Sequence, residues 1–247
     1  MSHFACYAAR GKDFSRAAPL WTALVVTVAF AGLARLLRGV TPSGAIAGAL
    51  ICFLLYRYGG PGAFFALVSV FALTWLSTRL GYRRKQKLGT AENREGRTAT
   101  QVLANLAVAA GCAVAFAVAG GTMFLLAMAA ALSEAAADTV SSELGQAGNE
   151  QARLITSWQL VPAGTDGGVS VVGTLGGIAA AALVSLVCVA SGLVSFPQLS
   201  VPIAAGVIGM LADSVMGAAL ERKDLLNNDW VNFFGTLIAA GLAMAMG

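Results

Sequence analysis

Three acidic side chains interrupt otherwise apolar stretches of this 247-residue chain: Glu134, Asp138 and Asp213. An ionisable side chain inside a membrane helix is costly and usually has a function. Glu134 and Asp138 are four residues apart and therefore share a helix face, and Glu143 follows at the end of the same stretch. Because Mg²⁺ is bound through oxygen ligands, we expect Asp138, Glu143 and Asp213 to hold this metal.

The two aspartates lie in similar tetrapeptides, Ala-Asp-Thr-Val around Asp138 and Ala-Asp-Ser-Val around Asp213. If the two helices run in the same direction, this similarity predicts that both carboxylates lie at similar depth. Asp213 also shares a four-residue spacing with Gly209 and Gly217, so another helix or a ligand can approach it closely. Chance similarity in an alanine-rich chain is the alternative explanation.

A second polar stripe consists of Arg97, Gln101 and Asn105, which are spaced four residues apart. Such a stripe in a membrane helix must face protein or a polar cavity. Arg97 is a candidate catalytic residue, because positive side chains neutralise the charge of a transferred phosphate. Hydrogen bonding between helices is the simpler alternative for the two amides.

A glycine-rich stretch at 162–177 contains six glycines, two threonines, a serine and an aspartate. We predict a helix that begins near Gly167 and is capped by Thr165 or Asp166, because free N–H groups at a helix start suit a phosphate. Thr174 stands where a Walker A motif would have lysine, and tight helix packing is the alternative role for the glycines. The candidate phosphate-binding residues are Gly164, Thr165, Asp166, Gly167, Gly168 and Ser170, with Lys85 and Arg153 adding positive charge.

Composition identifies the elements that must position these groups. The chain is 57% hydrophobic and 11% charged, whereas soluble domains contain about 25% charged residues. We therefore predict an all-α, polytopic bundle of about eight transmembrane helices. The single histidine, His3, lies in the N-terminal tail, so a histidine base is excluded, and the cysteines have neither metal-site nor disulfide spacing. The predicted helices are 18–36, 42–57, 61–80, 100–119, 122–142, 167–190, 200–220 and 231–247.

Basic residues predict the orientation of the bundle. They concentrate in the loop 81–99, which the positive-inside rule places in the cytoplasm. The polar loops 37–43, 143–166 and 221–230 then fall on the same side. We predict a short polar segment at 1–17, with the first helix retained rather than cleaved as a signal peptide, and one catalytic transmembrane domain at 18–247. We expect a bacterial-type inner membrane, contact with membrane lipids and no nucleic acid partner.

Carboxylates, cations and a glycine-rich loop at one end of a helical bundle suit phosphoryl or nucleotidyl transfer to a lipid. They also suit a transporter whose broken helices form a site near the midplane of the membrane. The residue pattern alone leaves both readings open.

Several motifs resemble the prenyl-phosphate kinase family, integral membrane proteins that include phytyl-phosphate kinases. The most specific block runs from Asp138 to Gly177, and weaker similarity extends over roughly 35 to 245. The segments that carry the resemblance are Asp138–Gly145, Ile155-Thr156, Val161–Ser170 with Gly173-Thr174, Thr41–Gly44, Gly96-Arg97 and Asp213-Ser214.

This resemblance implies a CTP-dependent kinase that converts a prenyl monophosphate to the diphosphate. It implies that Asp138 and Glu143 form an acidic motif, that Gly164 to Ser170 form a phosphate loop, and that Asp213 is a second acidic position. More distantly the chain is similar to cytidylyltransferases, so formation of a CDP-lipid is an alternative. No residue by itself distinguishes CTP from ATP.

Overall fold

The computed structural model describes residues 17–148 and 151–247, which fold into a helical bundle with a small sheet at one end. Six of its helices are long and apolar enough to cross a membrane, so the predicted all-α membrane fold is confirmed. Residues 1–16, with His3 and nearly all of the predicted polar segment 1–17, lie outside the described residues. The helices are α1 Leu20–Leu36, α2 Pro42–Arg79, α3 Tyr82–Leu88, α4 Ala99–Ala119, α5 Thr122–Ala147, α6 Val171–Ala190, α7 Ser200–Ala219 and α8 Asn228–Met246.

Helix α2 contains both the second and the third predicted helix, because it reverses direction at Gly60. This glycine has φ 73° and ψ −169°, and Pro61 follows it. A straight 38-residue helix would be roughly 57 Å long, yet Arg79 Nη2 at its end donates to Leu37 O just before its start, at 2.6 Å. The two halves are therefore antiparallel arms of a hairpin, which agrees with the predicted ranges 42–57 and 61–80.

Helix α5 lies at the centre of the bundle, because 83% of an apolar 18-residue stretch of this helix is buried. Its long alanine run lets other helices approach closely, which is the usual basis of helix packing in membranes. A Cβ added to Gly177 of α6 would lie 2.9 Å from Ala137 O, and one added to Gly206 of α7 would lie 3.1 Å from Glu134 N. This close packing places the acidic residues of α5 in the interior.

The polar loops meet at one end of the bundle, as expected from their predicted position on the same side of the membrane. Val40 pairs with Arg97 in an isolated parallel bridge, which joins loop 37–43 to loop 81–99. A Cβ on Gly81 would lie 2.9 Å from Ala147 Cα, and one on Gly217 would lie 2.9 Å from Gly167 N. Those contacts link loop 81–99, the segment after α5 and the end of α7. The side of the membrane that this end faces stays a prediction.

A three-stranded antiparallel sheet precedes α6 and corrects the predicted start of that helix. The strands are β1 Ala152–Leu154, β2 Leu160–Val161 and β3 Gly168–Val169, in the order β2-β1-β3. Helix α6 begins at Val171, and the Ser170 side chain accepts from Gly173 N at 3.1 Å. The prediction that Thr165 or Asp166 caps a helix near Gly167 is therefore wrong, because this segment pairs with β1 before the helix starts.

Candidate functional site

Asp138 of α5 and Asp213 of α7 lie side by side, and their carboxyl groups are within hydrogen-bonding reach of each other. Both side chains are half-buried, near the polar end of the bundle. The structure thus confirms that the two similar tetrapeptides lie at similar depth. Their approach depends on small residues, because Gly209 and Gly217 on α7 allow no larger side chain beside α8 and the glycine-rich loop.

Glu134 extends this pair one helical turn deeper into the bundle. It is 1% exposed, and its Oε1 atom has no hydrogen-bond partner, as is also true of Asp213 Oδ2. Both atoms face the backbone of α8: a Cβ added to Gly235 would lie 2.5 Å from Glu134 Oε1 and 3.4 Å from Asp213 Oδ2. Buried oxygens without partners are costly, so this corner suits a bound cation or a proton.

Sequence analysis missed a fourth acidic residue, Glu221, just beyond the end of α7. Its charge interacts with those of Asp213 and Asp138, and on its other side with that of Asp166 in the glycine-rich loop. A signal existed, because Glu221 continues the four-residue spacing that joins Asp213 to Gly217. A line of carboxylates therefore runs from the interior at Glu134 to the polar loops. Among the described residues, however, no three His, Cys, Asp or Glu side chains form a ready-made metal cluster.

Arg97 supplies the positive charge next to these carboxylates, since its guanidinium interacts with Asp138. Its backbone is held firmly: Thr41 N donates to Arg97 O at 2.9 Å, and Arg97 N donates to Gly39 O at 3.1 Å. Gly44 approaches so closely that an added Cβ would overlap Arg97 O. The buried Nε atom has no hydrogen-bond partner and lies 4.0 Å from Glu92 Oε2. Arg97 is thus positioned precisely while part of its donor capacity remains unused.

The amides of the predicted stripe face inward beside Arg97. Gln101 closes a capping box at the start of α4, with Thr98 N donating to its Oε1 at 2.8 Å, and its Nε2 donates to Glu92 Oε2 at 3.1 Å. Asn105 is 7% exposed and donates to Gln101 O at 2.9 Å. Both amides therefore hold the local structure, and both also line a large cavity of the described bundle.

This cavity has a volume of about 540 Å³ and lies between α1, the two arms of α2, α4 and α5. Its two ends differ in chemistry. Arginines line the mouth at the polar end of the bundle, and aliphatic, aromatic and glycine residues line the deeper part. The mouth residues include Arg38, Arg79, Tyr82, Arg94 and Arg97, and the deeper residues include Phe30, Ala31, Gly48, Leu67, Phe71 and Leu106. Arg97 belongs both to the cavity and to the surroundings of Asp138, so the cavity adjoins the carboxylates.

Lys85 and Glu143 form a buried ion pair with each other, an arrangement that the sequence did not predict. Lys85 is 0% exposed, and its Nζ donates to Glu143 Oε2 and to Thr78 O, the latter at 2.7 Å. Thr78 Oγ1 donates to the other carboxylate oxygen of Glu143 at 2.9 Å. Both oxygens of Glu143 thus have protein partners, and the pair anchors the short helix α3 to α5. Metal binding by Glu143 and phosphate binding by Lys85 stay predictions.

The glycines of the predicted phosphate loop have packing roles in this structure. Gly164 and Gly167 have positive φ values of 89° and 72°. A Cβ on Gly164 would lie 2.5 Å from Thr90 Cγ2, one on Gly167 would overlap Ala218, and one on Gly168 would lie 2.8 Å from Thr165 O. The loop is therefore pressed against loop 81–99 and α7, next to Asp138 and Asp213.

Polar residues of the same loop are mostly engaged locally. Thr165 Oγ1 donates to Pro162 O at 2.8 Å, and Ser170 caps α6. Arg153 lies on the exposed face of β1 and donates to Trp158 O at 2.9 Å. Asp166 is exposed and lies near Glu221. Of this group, the charge of Asp166 interacts with that of Glu221, and Ser170 Oγ lies 3.1 Å from a Cβ added to Gly145 of α5.

Comparisons with known proteins place this geometry in a family context. The family model of integral membrane protein DUF92 matches residues 25–240. An uncharacterised membrane protein of Methanocaldococcus jannaschii is 32% identical over 222 residues, which cover 89% of this chain and 90% of that protein. The chloroplastic protein VTE6 of Arabidopsis thaliana is 30% identical over 248 residues, which cover 95% of this chain and 74% of that protein. No solved structure matches this chain.

Proposed function

The chain belongs to the integral membrane protein DUF92 family, and on this premise we propose that it is a membrane phosphotransferase. It transfers the γ-phosphate of CTP to a prenyl monophosphate and releases the prenyl diphosphate and CDP. The reaction takes place where the polar loops meet, at the cytoplasmic face of a bacterial-type inner membrane. The motif resemblance supports the choice of substrates, and the arrangement of the site supports the type of reaction.

The observation that carries this proposal is the cavity whose apolar interior leads to an arginine-lined mouth beside two aspartates. An amphiphile with a phosphate head fits such a space, because its chain is removed from water while arginines neutralise its charge. Arg97 joins the two halves of the site, since it lines the cavity and interacts with Asp138. The acceptor phosphate would therefore lie next to the carboxylates.

The two aspartates also suit Mg²⁺. Asp213 Oδ2 is buried without a hydrogen-bond partner, and Asp138 lies within reach of it from another helix. Mg²⁺ commonly takes one or two carboxylates and completes its octahedral shell with water and substrate phosphates. Asp138 and Asp213 would hold the ion, which would neutralise charge on the phosphates of CTP, and the nearby charge of Glu221 would add to its attraction.

The transfer requires little acid–base chemistry from the protein. An oxygen of the acceptor phosphate attacks the γ-phosphorus, a new P–O–P bond forms, and the bond from the γ-phosphorus to the bridging oxygen breaks as CDP leaves. A phosphate monoester is largely dianionic near pH 7, because its second pKa is about 6. The attacking oxygen therefore carries no proton that a base must remove. Arg97 orients the acceptor and lowers the repulsion between the two phosphate groups.

CTP labelled at different phosphorus atoms distinguishes this reaction from cytidylyl transfer and from transport. Purified protein in detergent is incubated with a prenyl monophosphate, Mg²⁺ and CTP labelled at either the γ- or the α-phosphorus. We expect label from the γ-position in the lipid product and none from the α-position. Label from the α-position would identify a cytidylyltransferase, and no transfer from either position would favour a transporter. ATP in place of CTP tests the choice of nucleotide in the same assay.

A further inference from the structure

The depth of the large cavity is set by residues on several helices. Arg97 and Leu106 are nine residues apart on α4 and line its mouth and its deep part respectively. At 1.5 Å per residue they are separated by roughly 14 Å along the helix axis. Gly44 and Gly48 lie one turn apart on the facing arm of α2 and follow the same direction. The cavity is therefore a slot that runs into the membrane-spanning part of the bundle.

Among the glycines that line this slot, Gly48 is the one where a side chain could be added without a clash. A Cβ added there meets no atom within 4 Å, whereas one added to Gly44, which also lines the cavity, would overlap the backbone of Arg97. Glycine at 48 thus leaves the slot open at this depth. A larger side chain there would fill part of the volume that the tail of a ligand could occupy.

A second cavity, the crevice, lies beside the slot at the outer surface of the bundle. It has a volume of about 550 Å³, is almost wholly apolar, and lies between α1 and the second arm of α2. Phe30, Phe71 and Trp75 line both cavities. The rings of Phe30 and Phe71 meet edge to face with centroids 5.5 Å apart, so these side chains form the wall between the slot and the crevice. Small movements of the rings would join the two spaces.

Charge at the mouth defines the head of the occupant. Arg38, Arg79 and Arg97 line it, and Arg79 is held in place because it stacks on Trp75 at 4.0 Å and donates to Leu37 O. Guanidinium groups that the protein holds in place bind phosphate well. An anionic head at the mouth and an apolar tail in the slot describe an amphiphile. The slot is a single space of about 540 Å³, which one prenyl chain could occupy, whereas a diacyl phospholipid brings two chains.

We propose that the slot holds the tail of a single-chain prenyl phosphate, that this lipid enters sideways from the membrane through the crevice, and that Gly48 sets the length of chain that fits. This inference rests on the proposed function, whose acceptor it locates. It makes Gly48 and Leu106 specificity-determining residues with opposite effects. A larger side chain at 48 shortens the slot, and a smaller one at 106 lengthens it.

The test compares acceptors of increasing chain length in two measurements. The first is kcat/KM with CTP for prenyl monophosphates of one to four isoprene units, and the second is the shift in melting temperature that each lipid causes without CTP. The variants are Gly48→Leu and Leu106→Ala. Their controls are Gly32→Leu and Leu103→Ala, because Gly32 also faces open space and Leu103 is exposed on the same helix, but neither lines the slot. Phosphatidic acid serves as the two-chain lipid.

We expect Gly48→Leu to lower kcat/KM for the longest acceptor at least tenfold while preserving the shortest, and Leu106→Ala to shift the preference toward longer chains. Both controls should keep the wild-type profile, and phosphatidic acid should stabilise the protein less than a prenyl phosphate. If Gly48→Leu is active with an unchanged chain-length profile, the inference is overturned while the proposed function stands. If wild-type protein transfers no phosphate but is stabilised by prenyl phosphates in a manner that Gly48→Leu abolishes, the slot is correct and the proposed function is wrong. Preferential stabilisation by phosphatidic acid would contradict the single-chain assignment.

Discussion

At the scale of single residues, the pairing of Asp138 with Asp213 is the strongest chemical feature of this protein. The residues are 75 positions apart in sequence, yet their carboxyl groups lie within hydrogen-bonding reach. Placing two carboxylates together in a bundle interior costs free energy through repulsion and desolvation. A bound cation would offset that cost, which is why we propose that the pair binds Mg²⁺.

We predict that Asp138→Asn and Asp213→Asn each lower kcat on the order of 100-fold or more, because each removes a carboxylate that we propose holds Mg²⁺, whose charge would neutralise the phosphates. Asparagine keeps the size and polarity of the side chain, so detergent-extracted protein should still melt cooperatively. Asp224→Asn is the matched control, since Asp224 is exposed and asparagine tolerates its positive φ of 57°. Glu134→Gln should be milder, as Glu134 lies one turn deeper. Normal turnover of both aspartate variants would assign these carboxylates a structural role.

The ion pair of Lys85 with Glu143 leads to a prediction about stability. Lys85→Met leaves the Glu143 carboxylate buried without its partner, and loss of one member of such a pair costs about 3–5 kcal/mol. Thermal melting in detergent should show a clear decrease in the midpoint. The double variant Lys85→Met with Glu143→Leu removes both charges and should recover most of that loss. If Glu143→Gln instead melts normally and loses activity, Glu143 acts directly in the chemistry.

At the scale of elements, the glycine-rich loop both packs against α7 and positions a charged residue, and its sequence alone does not distinguish these two roles. It packs on α7 through Gly167, and it brings Asp166 near Glu221 beside the two aspartates. Its glycines are therefore required by close backbone contact whether or not phosphate binds there. Activity changes in variants of this loop are informative only when stability is measured together with them.

We predict that Gly167→Ala destabilises the protein more than Gly89→Ala. Both residues have positive φ, 72° and 76°, so both substitutions incur a backbone cost of about 1–2 kcal/mol. A Cβ at Gly167 would also overlap Ala218, whereas one at Gly89 meets no atom within 4 Å. The difference between the two melting midpoints therefore measures the packing of the loop on α7. Equal losses would show that backbone conformation alone explains these glycines.

At the scale of the whole molecule, the polar loops gather at one end of the bundle and short loops lie at the other, an arrangement that suits the reaction proposed above. The polar end collects loops 37–43, 81–99 and 221–230 and the segment that precedes α6. Matches to the family model and to membrane proteins of other organisms confirm the family resemblance that the motifs indicated.

Orientation in the membrane is testable with single cysteines in a background without native cysteines. Lys87→Cys and Lys223→Cys lie at the exposed polar end and should resist an impermeant thiol reagent in intact cells, because the positive-inside rule places them in the cytoplasm. Thr122→Cys lies at the opposite end, is exposed, and should be labelled. Lys85 is unsuitable as a reporter because it is buried, and Glu150 lies outside the described residues. The opposite labelling pattern would show that the polar end of the bundle faces the outside of the cell.

Local sequence determined the elements and much of the chemistry of this protein. Apolar runs longer than a bilayer crossing predict the helices, because hydrophobicity is a property of each segment by itself. The turn at Gly60, the similar depth of the two aspartates and the inward stripe from Arg97 also follow from residue type and spacing. The boundary of α6 does not, because strand pairing of Gly168–Val169 with β1 overrides the local preference for a helix start.

Tertiary structure alone decided which charged groups meet. Lys85 and Glu143 are 58 residues apart, and their mutual burial arises because α3 folds back onto the end of α5. The same holds for Glu221, whose spacing from Asp213 was visible but whose nearness to Asp138 depends on how α5 packs against α7. The amphiphilic slot is likewise a product of assembly, since α1, α2, α4 and α5 each contribute only part of its wall. A sequence specifies such features through the packing of distant segments, and that packing is not encoded in any one of them.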